Sequence, residues 1–272
     1  MIDDPRGAID YDEYGGTGPT VVLLAGSCST GAAWRPMIEA WGGRFRCVTT
    51  SLLGYGGTAE RRHACDPSIA HEAEAVEAVI GRAGERVHLV GHSFGGLVAV
   101  AVALRRKAPL AGLVVLEAPA MELLKDRGDE EHYQVFRAMS DAYAAAFRGG
   151  DSEAVAAMID FYGGAGTYAS WPPRVRAYAA ATTAVNLLDW QSAYGFPLTA
   201  DGLATVDVAT LVLWGGASHP APQRANALLG RCIPGAATAA IDGAAHFMIA
   251  THAHAAARIV GGHIEGVAGG GR

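Results

Sequence analysis

The chain has 272 residues, half of them apolar and 18% charged, which is enough to bury a large core in one globular unit or in a core carrying an insertion. Its 21 basic and 27 acidic side chains give a formal net charge of −6 spread along the chain, so no basic surface for nucleic acid or an anionic membrane stands out, and small neutral or apolar ligands fit better. The start, Met1-Ile2-Asp3-Asp4-Pro5-Arg6, carries acids where a signal peptide needs a basic end and an apolar stretch, and no window approaches about 18 unbroken apolar residues, so a soluble, cytoplasmic protein is expected.

Apolar runs at 21–25, 46–50, 87–90, 112–116, 210–214 and 237–241 read as strands, each followed closely by Gly, Ser, Pro or Asp. Segments 33–41, 68–84, 94–106, 221–229 and 247–260 read as helices by length and apolar spacing. The alternation predicts an α/β fold, a mostly parallel sheet with helices on both faces. It breaks between 121 and about 198, where three helical stretches, 132–147, 152–161 and 174–194, follow one another without a strand. A helical insertion between parallel strands enters and leaves near their carboxyl ends, where such sheets bind ligands. Residues 121–198 are therefore expected to cap a core made of 1–120 and 199–272; the alternative is a helical decoration elsewhere on the surface. The tail 269–272 is expected to be loose. Cys28, Cys47, Cys65 and Cys232 form no CxxC pair, so packed, reduced thiols are expected, with no metal site and no cofactor.

The strand at 87–90 runs straight into Gly91-His92-Ser93-Phe94-Gly95-Gly96, and a helix follows without a loop. This is the strand-turn-helix setting that the G-x-S-x-G nucleophile elbow requires. The turn strains the serine backbone, the flanking glycines let strand and helix pack closely, and Ser93 lands at a helix N-terminus that favours developing negative charge. Ser93 is the candidate nucleophile. Its neighbour His92 reads as a packing or supporting residue, because adjacent side chains on so tight a turn diverge.

With these residues the chain resembles the α/β-hydrolase family along almost its whole length. Val21-Val22-Leu23-Leu24-Ala25-Gly26-Ser27 resembles the family's oxyanion loop, with Ala25 where a histidine is usual. Ser51-Leu52-Leu53-Gly54-Tyr55-Gly56 is similar to its Asp-x-x-Gly-x-Gly segment, with Ser51 in place of the aspartate. Ile241-Asp242-Gly243-Ala244-Ala245-His246-Phe247 resembles its histidine loop. The serine needs a base within hydrogen-bond reach, and among ten histidines His246 is the candidate, lying past the last strand at the same edge of the sheet. The fold implies an oxyanion donor in the Phe94 N–H, and the resemblance adds the Ser27 N–H. The Ser27 hydroxyl is either a third donor or a cap on its own loop.

A carboxylate must orient the histidine. In most relatives it sits in a Gly-x-x-Asp segment after the next-to-last strand, but here Gly215-Gly216-Ala217-Ser218 puts Ser218 there, and no acid occurs from 208 to 240. Some family members carry the acid instead after the strand that follows the nucleophile helix, where this chain has Glu117. Glu117 is the candidate acid; the alternatives are a structural glutamate beside a serine-histidine dyad. A serine nucleophile points to acyl transfer, and Cys28, Trp171 and Phe247 are candidate pocket residues. Cleavage of a small apolar carboxylic ester or lactone is the leading expectation. Carbon–carbon bond hydrolysis with the same serine, or a retired hydrolase serving as a small-molecule receptor, are the alternatives. Oligomeric state is not legible.

Overall fold

The apolar runs form a seven-stranded sheet in the computed structural model, which describes residues 1–84 and 86–270. Strands β1 (Asp12–Tyr14), β2 (Thr20–Leu24), β3 (Arg46–Thr50), β4 (Val87–His92), β5 (Leu110–Leu116), β6 (Ala209–Gly215) and β7 (Ala237–Ile241) lie in the order β1-β3-β2-β4-β5-β6-β7. β1 pairs antiparallel with β3, and the remaining pairs are parallel. The expected α/β architecture is the observed one.

The strands are apolar at nearly every position because both faces of the sheet are covered. β2 sends Val22 and Leu24 into one core and Val21 and Leu23 into the other; β5 does the same with Leu113 and Val115 against Val114 and Leu116. Helices α2 (Ile69–Ala83), α3 (Phe94–Arg105) and α11 (Pro220–Cys232) cover the first face, and α1 (Arg35–Trp41) and α13 (Ala253–Gly270) the second. α3 is buried from Phe94 through Val102, which is why it carries no polar stripe.

Between β5 and β6 the chain is helical: α4 (Met121–Asp126), α5 (Glu130–Arg148), α6 (Val155–Gly163), α7 (Thr167–Ser170), α8 (Pro173–Ala181), α9 (Thr183–Gly195) and α10 (Ala200–Leu203). Three stretches were expected there. The short α4, α7 and α10 lack a full apolar period, and 174–194 is two helices that part at Thr182. The Thr182 hydroxyl bonds back to the carbonyls of Tyr178 (2.9 Å) and Ala179 (3.3 Å), competing with the helical ladder. Segment 247–260 likewise divides into α12 (Met248–Thr251) and α13. Its end differs from the loose tail expected: Gly269 and Gly270 continue α13, and 271–272 lie outside the described residues. β1 was not foreseen, since Asp12-Glu13-Tyr14 is a polar edge strand of three residues without an apolar run. Among the described residues no helix is long and apolar enough to cross a membrane.

Candidate active site

β4 delivers Ser93 to the carboxyl edge of the sheet with φ 56° and ψ −129°, a conformation that non-glycine residues rarely adopt. Two contacts make the flanking glycines necessary. A Cβ on Gly91 would lie 2.2 Å from the Gly95 carbonyl oxygen, and one on Gly95 would lie 2.4 Å from that of Ala25. The Ser93 N–H donates to the Leu116 carbonyl (2.9 Å), so the elbow is fixed to the end of β5.

The loop after β7 brings His246 to this edge. Its Nε2 lies 2.9 Å from Ser93 Oγ, and its Nδ1 lies 2.8 Å from Glu117 Oε1. In the tautomer that serves both, Nδ1–H donates to the carboxylate and Nε2 accepts from the serine. His92 supports the arrangement from below: its Nε2–H donates to the His246 carbonyl at 2.8 Å. Burial and the neighbouring His246 push His92 down to about 3, so it stays neutral and holds the loop as a fixed donor. The Tyr162 ring from α6 packs on the His246 imidazole, with centroids 4.2 Å apart.

Glu117 is fully buried at the end of β5, with φ 46°. The strain is compensated by a dense set of bonds. Its N–H donates to the Leu213 carbonyl (2.8 Å), and its Oε2 accepts from the Gly215 N–H (2.8 Å) and the Ser218 hydroxyl (2.6 Å). Ser218, the residue standing where relatives usually place the acid, therefore donates to the carboxylate that is present. The Asn226 side chain pins the next residue through both the N–H and the carbonyl of Ala118, at 2.9 and 3.0 Å.

The structure thus brings Ser93, His246 and Glu117 into one hydrogen-bonded line, and Ser27, Cys28, Phe94, Trp171 and Phe247 all border the pocket beside it. That pocket is a narrow cavity of about 40 Å³, and its remaining wall is mostly apolar: Met158, Ile159, Trp190 and Ala193 from α6 and α9. Asn186 supplies a polar point whose side-chain oxygen has no partner among the described residues. Trp171 meets Phe247 edge to face at 5.0 Å. The Cys28 thiol, raised to about 12 by burial and by Asp189, is a packing group rather than a nucleophile. No cluster of three or more His, Cys, Asp or Glu with metal-ligand geometry occurs among the described residues.

A buried polar group beneath the pocket escaped the sequence reading. Asp189 of α9 accepts hydrogen bonds from Ser27 Oγ (2.5 Å), Tyr55 Oη (2.6 Å) and Arg62 Nη1 (2.7 Å). Arg62 also pairs with Glu60 at 2.8 Å and lies 3.1 Å from Glu72. The signal available was a lone acid in the apolar stretch Leu187-Leu188-Asp189-Trp190. Three carboxylates around one guanidinium are too many for full ionisation, and burial, only partly offset by Arg62, raises Glu72 from 4.5 to about 8. Because the folded value lies above the unfolded one, this group's contribution to stability is complete below about pH 4.5 and is lost as pH rises toward 8. Glu72→Gln, which mimics the protonated form, is expected to match the parent near pH 5 and exceed it above pH 8, by on the order of a few kcal/mol. Urea denaturation at the two pH values checks this; an equal offset at both would contradict it.

Residues 21–259 match the sequence model of the Alpha/beta hydrolase family. Haloalkane dehalogenase 2 of Mycobacterium bovis is 34% identical over 115 residues, 42% of this chain and 40% of that protein. The pimeloyl-[acyl-carrier protein] methyl ester esterase of Aliivibrio salmonicida is 32% identical over 106 residues, 39% of this chain and 38% of that protein. The alignments span about two fifths of the length of these curated relatives. The enol-lactonase of Burkholderia xenovorans superposes with a TM-score of 0.74 at 20% identity, covering 94% of this chain and 96% of that one, a likeness of fold.

Proposed function

Because the chain belongs to the Alpha/beta hydrolase family, we propose that it is a serine hydrolase that cleaves a small, largely apolar carboxylic ester or lactone through an acyl-enzyme on Ser93. One observation carries this reading: the unbroken line from Ser93 Oγ through the His246 imidazole to the Glu117 carboxylate, with bonds of 2.9 and 2.8 Å.

His246 Nε2 takes the Ser93 proton as Oγ attacks the carbonyl carbon, and the imidazolium so formed is stabilised by Glu117. The oxyanion is received by the N–H groups of Phe94 and Ser27; neither is bonded to a protein acceptor among the described residues. His246 then returns the proton to the leaving alcohol, and water activated by the same imidazole releases the acid. Residues 121–198 act as a cap whose α6 and α9 side chains receive the substrate. Asn186 gives that wall one place for a hydroxyl or amide N–H.

Serine at this position separates acyl transfer from haloalkane chemistry. A serine alkylated by a haloalkane is left as an ether, with no carbonyl for water to attack, whereas an acyl-serine is an ester that water opens. The test is labelling with a fluorophosphonate, read by intact mass and peptide mapping, beside a panel of p-nitrophenyl esters and lactones. One adduct per chain, on Ser93, with turnover of short esters or lactones is expected. Ligand binding without adduct or turnover would favour the receptor alternative and overturn the reading.

A further inference from the structure

Asp189 belongs to α9, in the helical segment between β5 and β6, yet the groups it bonds belong to the core. Ser27 lies in the loop after β2, while Tyr55 and Arg62 lie in the long segment after β3. One carboxylate therefore ties three separate pieces of chain together, at a point 2% exposed. The piece with chemical consequence is the Ser27 loop. Its next residue, Cys28, sits at φ 55°, a strained value for a side chain with a Cβ, and such strain persists only where the surroundings over-determine it. The 2.5 Å bond from Ser27 Oγ to Asp189 Oδ2 is such a determinant. Because the acceptor is a carboxylate held by Arg62 and Tyr55, the bond is charge-assisted and directional. Fixing Ser27 Oγ through Cα and Cβ also fixes where the N–H of the same residue points.

We propose that Asp189 is a positioning residue for the oxyanion hole: it sets the direction of the Ser27 N–H, so the hole is complete only while α9 is seated on the core. This rests on the serine hydrolase reading, in which the Ser27 N–H receives the oxyanion. It also gives the cap a role beyond walling the pocket, since α9 carries the carboxylate that aims the donor. A donor misaimed by a fraction of an ångström stabilises the developing charge less while touching the neutral substrate hardly at all.

The test compares Ser27→Ala, Asp189→Asn and the double variant in the full chain. Ser27→Ala removes the hydroxyl but keeps the backbone N–H, and leaves Asp189 its bonds to Tyr55 and Arg62, so it reports even where Asp189→Asn folds poorly. The readouts are kcat, KM and the affinity of a trifluoromethyl ketone, whose tetrahedral adduct places an oxyanion in the hole. About a 10- to 100-fold loss of kcat and a matching loss of ketone affinity are expected, with KM within about threefold. The double variant should be no worse than the worse single one, since both changes act on the same contact: Ser27→Ala removes it, and Asp189→Asn strips it of its charge and turns an amide NH₂ toward Ser27 Oγ, because Arg62 can only donate. Unchanged kcat and ketone affinity in Ser27→Ala, or losses that multiply in the double variant, would overturn the proposal. Fluorophosphonate labelling of the parent separates the two levels. Absence of an adduct on Ser93 removes the hydrolase reading and this one with it; a normal adduct with an unaffected Ser27→Ala removes this one alone.

Discussion

Ser93→Ala is expected to lower kcat on any ester or lactone the protein turns over by about a millionfold, roughly 8 kcal/mol of barrier. The hydroxyl is the only group lost, and its one side-chain bond among the described residues is to His246 Nε2, at 2.9 Å. The backbone strain at φ 56° is common to serine and alanine, and the glycine contacts that build the elbow are untouched. The variant should therefore fold, melt within a few degrees of the parent, and bind substrate with little change in Kd. Kinetics on the variant beside a thermal melt and a binding titration check this. Residual kcat above about one part in a hundred would mean that another group performs the attack. A collapse of the melting temperature would mean that the serine is structural. On the proposed reading the two kinds of energy at this site divide: binding would come from the apolar walls of α6 and α9, and rate from a proton path that ground-state substrate barely senses.

The candidate proton path is partly legible in the sequence. The sheet was readable because strands covered on both faces must be apolar throughout, and the elbow because Gly91 and Gly95 are demanded by contacts a Cβ would turn into clashes. His246 was readable from its place after the last strand. Glu117 emerged as the candidate acid by elimination, from the missing acid between 208 and 240, but what holds its carboxylate in place did not. That is in part a hydrogen bond from Ser218 to Glu117, 101 positions apart. The Asp189 group was harder still, with partners 162, 134 and 127 positions away and no local pattern to link them. Helix boundaries failed for a different reason. Thr182 interrupts an apolar periodicity that continues past it, because a hydroxyl bonding back to its own helix leaves the spacing of apolar residues unchanged.

Glu117→Gln is expected to lower kcat by about a thousand- to ten-thousandfold with KM nearly unchanged, and the hydrogen bonds around the carboxylate say why. Gly215 offers Oε2 a backbone N–H, a donor that cannot reverse, at 2.8 Å. A glutamine must meet it with its carbonyl oxygen, which turns the amide NH₂ toward His246 Nδ1. The imidazole then has to accept at Nδ1 and carry its proton on Nε2, where it faces the Ser93 hydroxyl with a hydrogen instead of a lone pair. Exchanging an orienting carboxylate for its amide elsewhere costs about ten-thousandfold through this wrong tautomer. Glu117→Ala removes the carboxylate without forcing the tautomer and should be less damaging than Glu117→Gln, an order opposite to that expected from size alone. Adding Ser218→Asp to Glu117→Ala returns a carboxylate to the same corner of the site, where Ser218 Oγ stands 2.6 Å from the present one, and is expected to recover at least about tenfold of the lost kcat. In the parent background the same Ser218→Asp change sets two buried carboxylates in contact and should depress both stability and rate. Steady-state kinetics of the four variants, with melts to confirm folding, decide the matter. A Glu117→Gln enzyme within tenfold of the parent would show that Ser93 and His246 work as a dyad and that Glu117 only braces the end of β5.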